Sequence, residues 1–372
     1  MDQYITWLEE AARRELAGCR AVAHDGTVLF TPDGEAHYGA LWTRDFAYMV
    51  ENAWDLLDTH EVRAAIEYLL RGQRADGCIP DRVLVDGAPF GNGVPVYSAG
   101  PVDKPLGDPP TDNSQFMVSL VYDYVCHTDD RAFARQWLGA LRRALDFTLR
   151  DAQGLVFIPP ERPHSPYGFT DTIAKTGALL FSSLLYWKAC GEMAHLCRWC
   201  DEDAASYLQR ADQITHTLNC LWDEDIGAYR AATHDCRQID VWGSAFAVYI
   251  GFAQNERRQR LLHFLHDHYA DYVYRGQVRH LLGDETWEHT LIPVAPGTYQ
   301  NGAYWATASG WVLTVLLEID QPLAAQMLDE LMTDFQTHGI FECVNVSYEK
   351  LDHYVASAVN PLGALRRIFD KR

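Results

Sequence analysis

Apolar residues recur with the period of an α-helix along most of the chain. Twelve segments follow this period, at about 3–17, 45–57, 60–71, 113–126, from Asp129 or Asp130 to 149, from Asp171 to about 188, 201–221, from 241, 255–269, 301–317, 321–337 and 353–369. Residues 79–85 alternate weakly between apolar and polar, which indicates a short strand inside a loop. The pattern as a whole predicts an all-α fold.

The links between these segments alternate in length. Short links such as 57–60 and 318–321 follow the even-numbered helices, whereas longer, Gly/Pro-rich links precede them, the longest being 72–112, 151–170 and 271–300. Short links form antiparallel helix hairpins. Six hairpins with their long loops on one face predict an (α/α)6 toroid, with the even-numbered helices as the inner ring. An α-solenoid is the alternative, but no repeat of fixed period is present.

Composition restricts the domain count and the partners. Residues 1–372 show no shift in composition, so we predict a single domain. The 51 Asp and Glu outnumber the 31 Lys and Arg, and the net charge of −20 repels nucleic acid and anionic membranes. No apolar run reaches the ~18–20 residues of a membrane span. The sequence does not define the oligomeric state.

The cysteines and the N-terminus predict a cytoplasmic protein. The first residues lack the basic and apolar segments of a signal peptide. Nine cysteines without framework spacing indicate reduced thiols. Cys197 and Cys200 have no second ligand pair at a zinc-like distance, so we predict no metal site.

Polar and aromatic residues stand at the end of each long loop, directly before an even-numbered helix. These six loop ends are 42–46, 111–115, 169–171, 239–242, 299–305 and 341–345. In a toroid they converge at one end of the barrel axis. They would form a pocket of carboxylates and aromatic faces that suits a small carbohydrate.

Several residues at these loop ends are candidate sugar-binding groups. Arg44 and Asp45 are expected to bind hydroxyls of a terminal sugar or to form a structural ion pair, and the tryptophans are expected to stack on a sugar or pack in the ring core. The candidates are Trp42, Arg44, Asp45, Asp112, Asn113, Phe169, Asp240, Trp242, Gln300, Asn301, Tyr304 and Trp305. Gly302 and Gly310 should let the helix 301–317 pack closely, with Gln300 and Asn301 facing the pocket.

Two stretches of the sequence resemble the six-hairpin glycosidase superfamily. One is the Trp-x-Arg-Asp sequence at 42–45. The other is the block 299–311, which is followed by a helix, by Glu342 in a loop and by a last helix. The similarity covers about 41–369 and is greatest to the inverting clan of processing α-glucosidases, trehalases and mannosylglycerate or glucosylglycerate hydrolases. The resemblance implies that Asp171, within Gly168-Phe169-Thr170-Asp171, is the general acid. It also implies that Glu342 is the general base and that Tyr354 is a pocket aromatic. Some relatives have one residue fewer between the Gly and the Asp.

Inverting hydrolysis requires such a pair of carboxyl groups. One carboxyl donates a proton to the leaving oxygen, and the other, ionised, activates water on the opposite face of the sugar. Burial or the negative charges of Asp45, Asp112 and Asp240 would raise the pKa of the acid. Glu285 and Glu288, in another long loop, are alternative candidates for the base.

The sequence therefore predicts an inverting hydrolase of a small α-linked glucoside or mannoside that needs no cofactor. One alternative is a sugar epimerase or isomerase on the same toroid, with His280, His289 or His353 as acid and base. A non-catalytic carbohydrate-binding protein is the other. The sequence does not define the sugar, the linkage or exo versus endo action.

Overall fold

Helices dominate the computed structural model, which describes residues 2–35, 37–85 and 93–369. The α-helices are α1 Asp2–Gly18, α2 Thr43–Ala53, α3 Thr59–Arg71, α4 Asn113–Thr128, α5 Arg131–Phe147, α6 Leu180–Trp199, α7 Ala205–Thr217, α8 Val241–Tyr249, α9 Asn255–Asp267, α10 Tyr269–Tyr272, α11 Ser309–Ile319, α12 Gln321–His338 and α13 Val355–Phe369. Short 3-10 turns cover Trp54–Leu56, Gly168–Thr170, Leu218–Leu221 and Ala306–Ala308.

Aspartates begin several of these helices in the way the sequence predicts. A carboxylate at the residue before a helix accepts backbone N–H groups that have no partner within the first turn. Asp130 accepts the N–H of Phe133 at the start of α5, as expected from its position. Asp58 and Asp320 do the same for α3 and α12.

The helices fall into two classes by burial and contact. Six of them form a closed cycle of contacts, α2 with α4, α4 with α6, α6 with α8, α8 with α11, α11 with α13, and α13 with α2. α2 and α8 are buried along nearly their whole length. The remaining long helices pack on this cycle and expose one side; α7, for example, buries only Tyr207 and Ile214. This difference matches the apolar sequences of α6, α8 and α11 in the first class and the amphipathic pattern of helices such as α5 in the second.

Short antiparallel strands lie in the loops, and the sequence predicts only the one within 79–85. They are β1 Arg20–Val22 with β2 Val28–Phe30; β3 Ala40–Trp42 with β4 Arg82–Leu84 and β5 Pro95–Val96; β6 Phe157–Ile158 with β7 Gly177–Ala178; β8 Trp222–Asp223 with β9 Ala228–Tyr229; β10 Val273–Tyr274 with β11 Gln277–Val278; and β12 Cys343–Asn345 with β13 Tyr348–Lys350. β4 confirms the strand predicted within 79–85. Strands of two or three residues are too short to leave a periodic signal.

The helix predicted to open at Asp171 begins nine residues later. Asp171 directly follows a 3-10 turn, and α6 starts at Leu180 and continues past residue 188 to Trp199. The intervening backbone is extended because it pairs with a distant loop: the N–H of Leu291 donates to the Thr172 carbonyl (2.7 Å), and that of Ala174 to the His289 carbonyl (3.1 Å). The prediction that a helix N-terminus holds Asp171 is therefore wrong.

The helix predicted from Asn301 also begins later, at Ser309. Tyr304 pairs instead with Val344 and Trp305 with Val278 through backbone hydrogen bonds. Gly302 is consequently not helical and has a φ of +116°. Only Gly310 of the two predicted glycines lies in α11.

Two chemical features complete the fold. All nine cysteines are free thiols. Among the described residues, no helix is long and apolar enough to cross a membrane, and no group of three His, Cys, Asp or Glu side chains can hold a metal ion.

Candidate active site

A pocket with about 310 Å³ of empty space lies where four of the six predicted loop ends meet. Its lining is Pro32, Tyr38, Trp42, Arg44, Asp45, Gly168, Phe169, Asp171, Tyr299, Trp305, Glu342 and Tyr354. The loop ends 111–115 and 239–242 do not contribute to this lining.

Asp171 is a buried pocket carboxyl held by an amide. Its Oδ1 accepts a hydrogen bond from Gln300 Nε2 (2.7 Å). The Gln300 carbonyl oxygen is fixed in turn by the N–H (2.9 Å) and the hydroxyl (2.7 Å) of Thr172. Burial raises the pKa of Asp171 to about 6, although the charge of Arg44 and the Gln300 hydrogen bond oppose the rise. Asp171 can therefore hold a proton near neutral pH.

Glu342 is the second buried carboxyl and stands directly before β12. Its Oε1 accepts the hydroxyl proton of Tyr38 (2.5 Å), and its Oε2 forms an ion pair with Lys350. Burial raises the pKa of Glu342 to about 7, and the charge of Lys350 opposes this rise. A carboxyl with such a pKa can exchange a proton with water near neutral pH.

Arg44 and Asp45 form one wall of the pocket within a buried polar network. Arg44 Nη1 lies 2.7 Å from Asp81 Oδ1, and Asp45 Oδ1 accepts the Tyr354 hydroxyl proton (2.6 Å). A Cβ on Gly168 would lie 1.6 Å from Arg44 Nε. Glycine at 168 thus lets the guanidinium lie against the backbone of the segment that carries Asp171.

Aromatic rings supply the remaining walls. Trp305 lies edge-on to Phe169 (5.6 Å between centroids), as does Trp42 to Tyr38 (5.7 Å). Phe169 also contacts Tyr354 (6.4 Å). Such faces can stack on the apolar side of a sugar ring, and they exclude water from the two carboxyls.

Two of the predicted binding residues, Asp112 and Asn113, lie behind the pocket. Asp112 is fully buried, and its Oδ2 accepts the N–H of Gly168 (2.9 Å). Burial raises the pKa of Asp112 to about 6. Asn113 is also buried and does not reach the lining. Asp112 therefore supports the backbone that carries Asp171.

Two further predicted residues belong to the start of α8. Asp240 accepts the N–H of Gly243 (2.9 Å) and lies 3.8 Å from Lys175 Nζ. Trp242 is fully buried and stacks on His280 at 3.9 Å between ring centroids. Both stabilise the fold around the pocket, and neither lines it.

Some residues of the block 299–305 line the pocket, and others lie behind it and contact the residues that line it. Gln300 orients Asp171 from behind. Asn301 accepts the N–H of Trp287 (2.9 Å) and donates to the Val294 carbonyl (2.9 Å), and Tyr304 lies beside Arg279. The expectation that Asn301 faces the pocket is therefore wrong.

The alternative candidates lie elsewhere in the part of the chain that the structure describes. Glu285 and Glu288 are exposed and do not line the pocket. His280 is buried, and burial lowers its pKa well below the ordinary value. His289 and His353 are also absent from the lining.

Sequence reasoning missed Pro32, Tyr38, Asp81, Tyr299 and Lys350. Tyr299 stands in a block that the pattern already marked, so its aromatic neighbours were a usable signal. Tyr38 and Lys350 carry no such signal. Tyr38 is 304 residues from Glu342 in the chain, and Lys350 contacts Glu342 from the opposite strand of a hairpin.

The structure has the fold of known glycoside hydrolases. No family model and no curated protein matches the sequence. Among solved structures, the GH63 mannosylglycerate hydrolase from Thermus thermophilus in complex with glucose matches with a TM-score of 0.70 and 16% identity, over 96% of this chain and 100% of that one.

Two rhamnosidases are also similar in structure. The rhamnosidase from Klebsiella oxytoca with rhamnose bound has a TM-score of 0.69 and 17% identity, and the match covers 99% of this chain but 64% of that one. The GH78 rhamnosidase of Bacillus sp. GL1 has a TM-score of 0.65 and 16% identity, over 98% of this chain and 35% of that one. This chain therefore spans about two thirds, or less, of these rhamnosidases.

Proposed function

We propose that this chain is an inverting glycoside hydrolase that removes a single terminal sugar from a small α-linked glucoside or mannoside. The observation that carries the proposal is that Asp171 and Glu342, both buried and both with raised pKa values, line the same small pocket. We also infer that the closed cycle of six helices is the inner ring of an (α/α)6 toroid.

In this mechanism Asp171 is the general acid and Glu342 the general base. Asp171 donates its proton to the glycosidic oxygen as the bond to the anomeric carbon breaks. Glu342 accepts a proton from the water that attacks the same carbon from the opposite face. The new C–O bond has the inverted configuration. Solvent then takes the proton from Glu342 and returns one to Asp171.

The remaining pocket residues bind and enclose the sugar. Asp45 and Arg44 offer an acceptor and a donor for sugar hydroxyls, and Trp42, Phe169 and Trp305 offer ring faces. The twelve residues that line the pocket enclose only a small space, which suits one sugar ring rather than a chain and supports action at a terminal residue.

An α-L-rhamnoside is a second candidate substrate. It is favoured by the similarity to two rhamnosidases, one of which has rhamnose bound. A histidine-dependent epimerase is less favoured, because His280 stacks on Trp242 and contacts the Phe169 carbonyl (3.2 Å) outside the pocket lining.

A substrate screen tests the proposal. The protein is incubated with α-disaccharides, glucosylglycerate, mannosylglycerate and an aryl α-L-rhamnoside, and released monosaccharide is measured. Proton NMR of the first product should show the anomer opposite to that of the substrate. A product with the retained anomeric configuration would exclude inversion. An isomerised sugar of unchanged size would indicate an epimerase. Binding without turnover would indicate a carbohydrate-binding protein.

Two variants test the roles of the carboxyls. Asp171→Asn should nearly abolish hydrolysis of ordinary glycosides but spare glycosyl fluorides, whose leaving group needs little protonation. Glu342→Gln should remove activity on both, because the attacking water loses its base. The exposed Glu161 offers a control in Glu161→Gln, which should behave as wild type. A fully active Glu342→Gln variant would refute the assignment.

The distance between the two carboxyls gives an independent check. In a ligand-bound crystal structure the Asp171 and Glu342 carboxyls should stand ~6.5–9.5 Å apart, which leaves room for water. A distance of about 5–5.5 Å would instead indicate a covalent intermediate and retention.

A further inference from the structure

Both oxygens of the Glu342 carboxylate are engaged by residues to which the proposed mechanism gives no role. The Tyr38 hydroxyl donates to Oε1 (2.5 Å), and Lys350 Nζ forms an ion pair with Oε2. Lys350 Nζ also donates to the Tyr38 oxygen (2.9 Å). The three side chains therefore form a closed hydrogen-bonded triangle at the pocket wall.

The β12–β13 hairpin fixes Lys350 beside Glu342. Cys343 is the register partner of Lys350, and the Glu342 N–H donates to the Lys350 carbonyl (3.0 Å). Lys350 Nζ lies 4.0 Å from the centroid of the Tyr299 ring, a cation–π contact that restrains the ammonium. The Lys350 side chain is 31% exposed and that of Glu342 only 3%, so the cation stands nearer to solvent than the carboxylate.

A separate segment places Tyr38. The buried carboxylate of Asp33 accepts the backbone N–H groups of Glu35 (3.1 Å), His37 (2.9 Å) and Tyr38 (3.2 Å). The same segment is tied to the start of α13, because the Val355 N–H donates to the Pro32 carbonyl (3.0 Å). Tyr38 and Lys350 thus reach Glu342 on independently anchored pieces of backbone.

The charges around Glu342 give this geometry a chemical consequence. The titratable groups near it are Lys350, Tyr38, Asp45, Cys343, Tyr299, Tyr348 and Tyr354, with Arg44 and Asp171 in the same pocket. Lys350 pairs directly with Glu342, and it opposes the effects of burial and of Asp45 on the Glu342 pKa. With a pKa of about 7 for Glu342 and about 6 for Asp171, Glu342 is the carboxyl that ionises later as pH rises, so a cation that favours its ionised form acts where it is most needed.

We propose that Lys350 and Tyr38 are positioning residues that hold the Glu342 carboxylate in place and favour its ionised form. The inference rests on the proposed function for the roles of the two carboxyls. The proposed mechanism needs Glu342 ionised, and a fixed ammonium paired with its Oε2 favours that form.

A direct titration of Glu342 tests the electrostatic part without any substrate. The protein is labelled with 13C at the glutamate carboxyl, and the Glu342 resonance is assigned by its loss in Glu342→Gln. Lys350→Met should raise the pKa of Glu342 by about 1 or more, because an adjacent opposite charge shifts a carboxyl pKa by 1–3. Lys350→Gln should do the same, Tyr38→Phe should raise it less, and Lys350→Arg should leave it nearly unchanged.

The control is Lys104→Met, which removes an exposed lysine that does not line the pocket and should not move the Glu342 pKa. If Lys350→Met and Lys350→Gln both fold and both leave the Glu342 pKa unchanged, the inference is overturned. That result would leave the proposed function intact, since the titration makes no use of turnover.

The pH profile tests the role in catalysis, with whichever glycoside the screen shows to be hydrolysed. In Lys350→Met the acidic limb of kcat/KM should move to higher pH, with at least about a tenfold loss at pH 6 and recovery toward pH 8. Lys350→Arg should restore the wild-type profile. An equal loss at every pH would mean that Lys350 has only a structural role, and would refute the inference.

Discussion

Asp171 is a carboxyl whose surroundings favour its protonated form. Its nearest partner is the neutral amide of Gln300, and no helix begins at this residue. Desolvation therefore outweighs the more distant charge of Arg44, and the pKa rises from 3.8 to about 6. A general acid needs this property, but it costs stability at neutral pH.

Asp171→Asn should therefore stabilise the folded protein at neutral pH. A carboxyl whose pKa is raised in the folded state contributes stability that is present below its unfolded pKa and is lost as pH rises through about 6. Asparagine does not ionise, so the variant should exceed wild type by about 1–3 kcal/mol at pH 7.5. Urea unfolding at pH 4, 6 and 7.5 measures the difference, which should vanish near pH 4.

The exposed Asp103 supplies the control, because Asp103→Asn should leave the free energy of unfolding almost unchanged at each pH. An Asp171→Asn variant with the same stability as wild type at pH 7.5 would show that burial does not destabilise the ionised carboxyl.

At the scale of elements, the close approach of α11 and α13 depends on Gly310. A Cβ at this position would lie 2.6 Å from the Ala364 Cβ and 2.9 Å from the Asn360 carbonyl oxygen. These contacts are too short for an alanine without a shift of one helix. Gly191 in α6 differs, because a Cβ there would meet nothing within 4 Å.

Gly310→Ala and Gly191→Ala should accordingly have opposite effects on stability. The first should cost about 1–3 kcal/mol through overpacking. The second should stabilise by about 0.5–1 kcal/mol, because alanine has the higher helix propensity and no clash offsets it. Thermal unfolding of both variants measures this. Stabilisation by both would mean that the helix pair is loosely packed.

At the scale of the whole molecule, a partly buried charge network links helices of the contact cycle away from the pocket. Lys188 of α6 pairs with Glu192 (2.6 Å) and with Glu51 of α2 (3.8 Å), and Arg367 of α13 also pairs with Glu51 (2.7 Å). The surrounding carboxylates raise the pKa of Lys188 against the effect of burial. The pocket is formed at the start of α2 and before α13, whereas Glu51 and Arg367 lie near the ends of these helices.

Lys188→Met should destabilise the fold by about 3 kcal/mol or more, since it leaves the buried carboxylate of Glu192 without its cation. Urea unfolding at pH 7.5 measures the loss, and lowering the pH should reduce it as the carboxyls become protonated. Lys104→Met, at an exposed site, should change stability by no more than about 0.5 kcal/mol. A similarly small effect at Lys188 would show that the network does not hold these helices together.

The sequence by itself determined the helices and much of the candidate site. Helical periodicity and capping aspartates such as Asp58 and Asp130 depend on residues within four positions of one another, so they can be read directly from the chain. The same local patterns marked Trp42, Asp45 and Glu342 as residues at loop ends, and the structure brings all three to one pocket.

Tertiary structure alone decided the conformation of residues 171–179 and 301–305, which pair with distant loops instead of forming helix. It also placed Gln300 behind Asp171, and Tyr38 and Lys350 on Glu342. The physical reason is that a backbone N–H or C=O can pair with any group that the fold brings close, and that burial of a side chain depends on the same distant groups. Between Tyr38 and Glu342 those groups are 304 residues apart, a separation over which no local pattern extends.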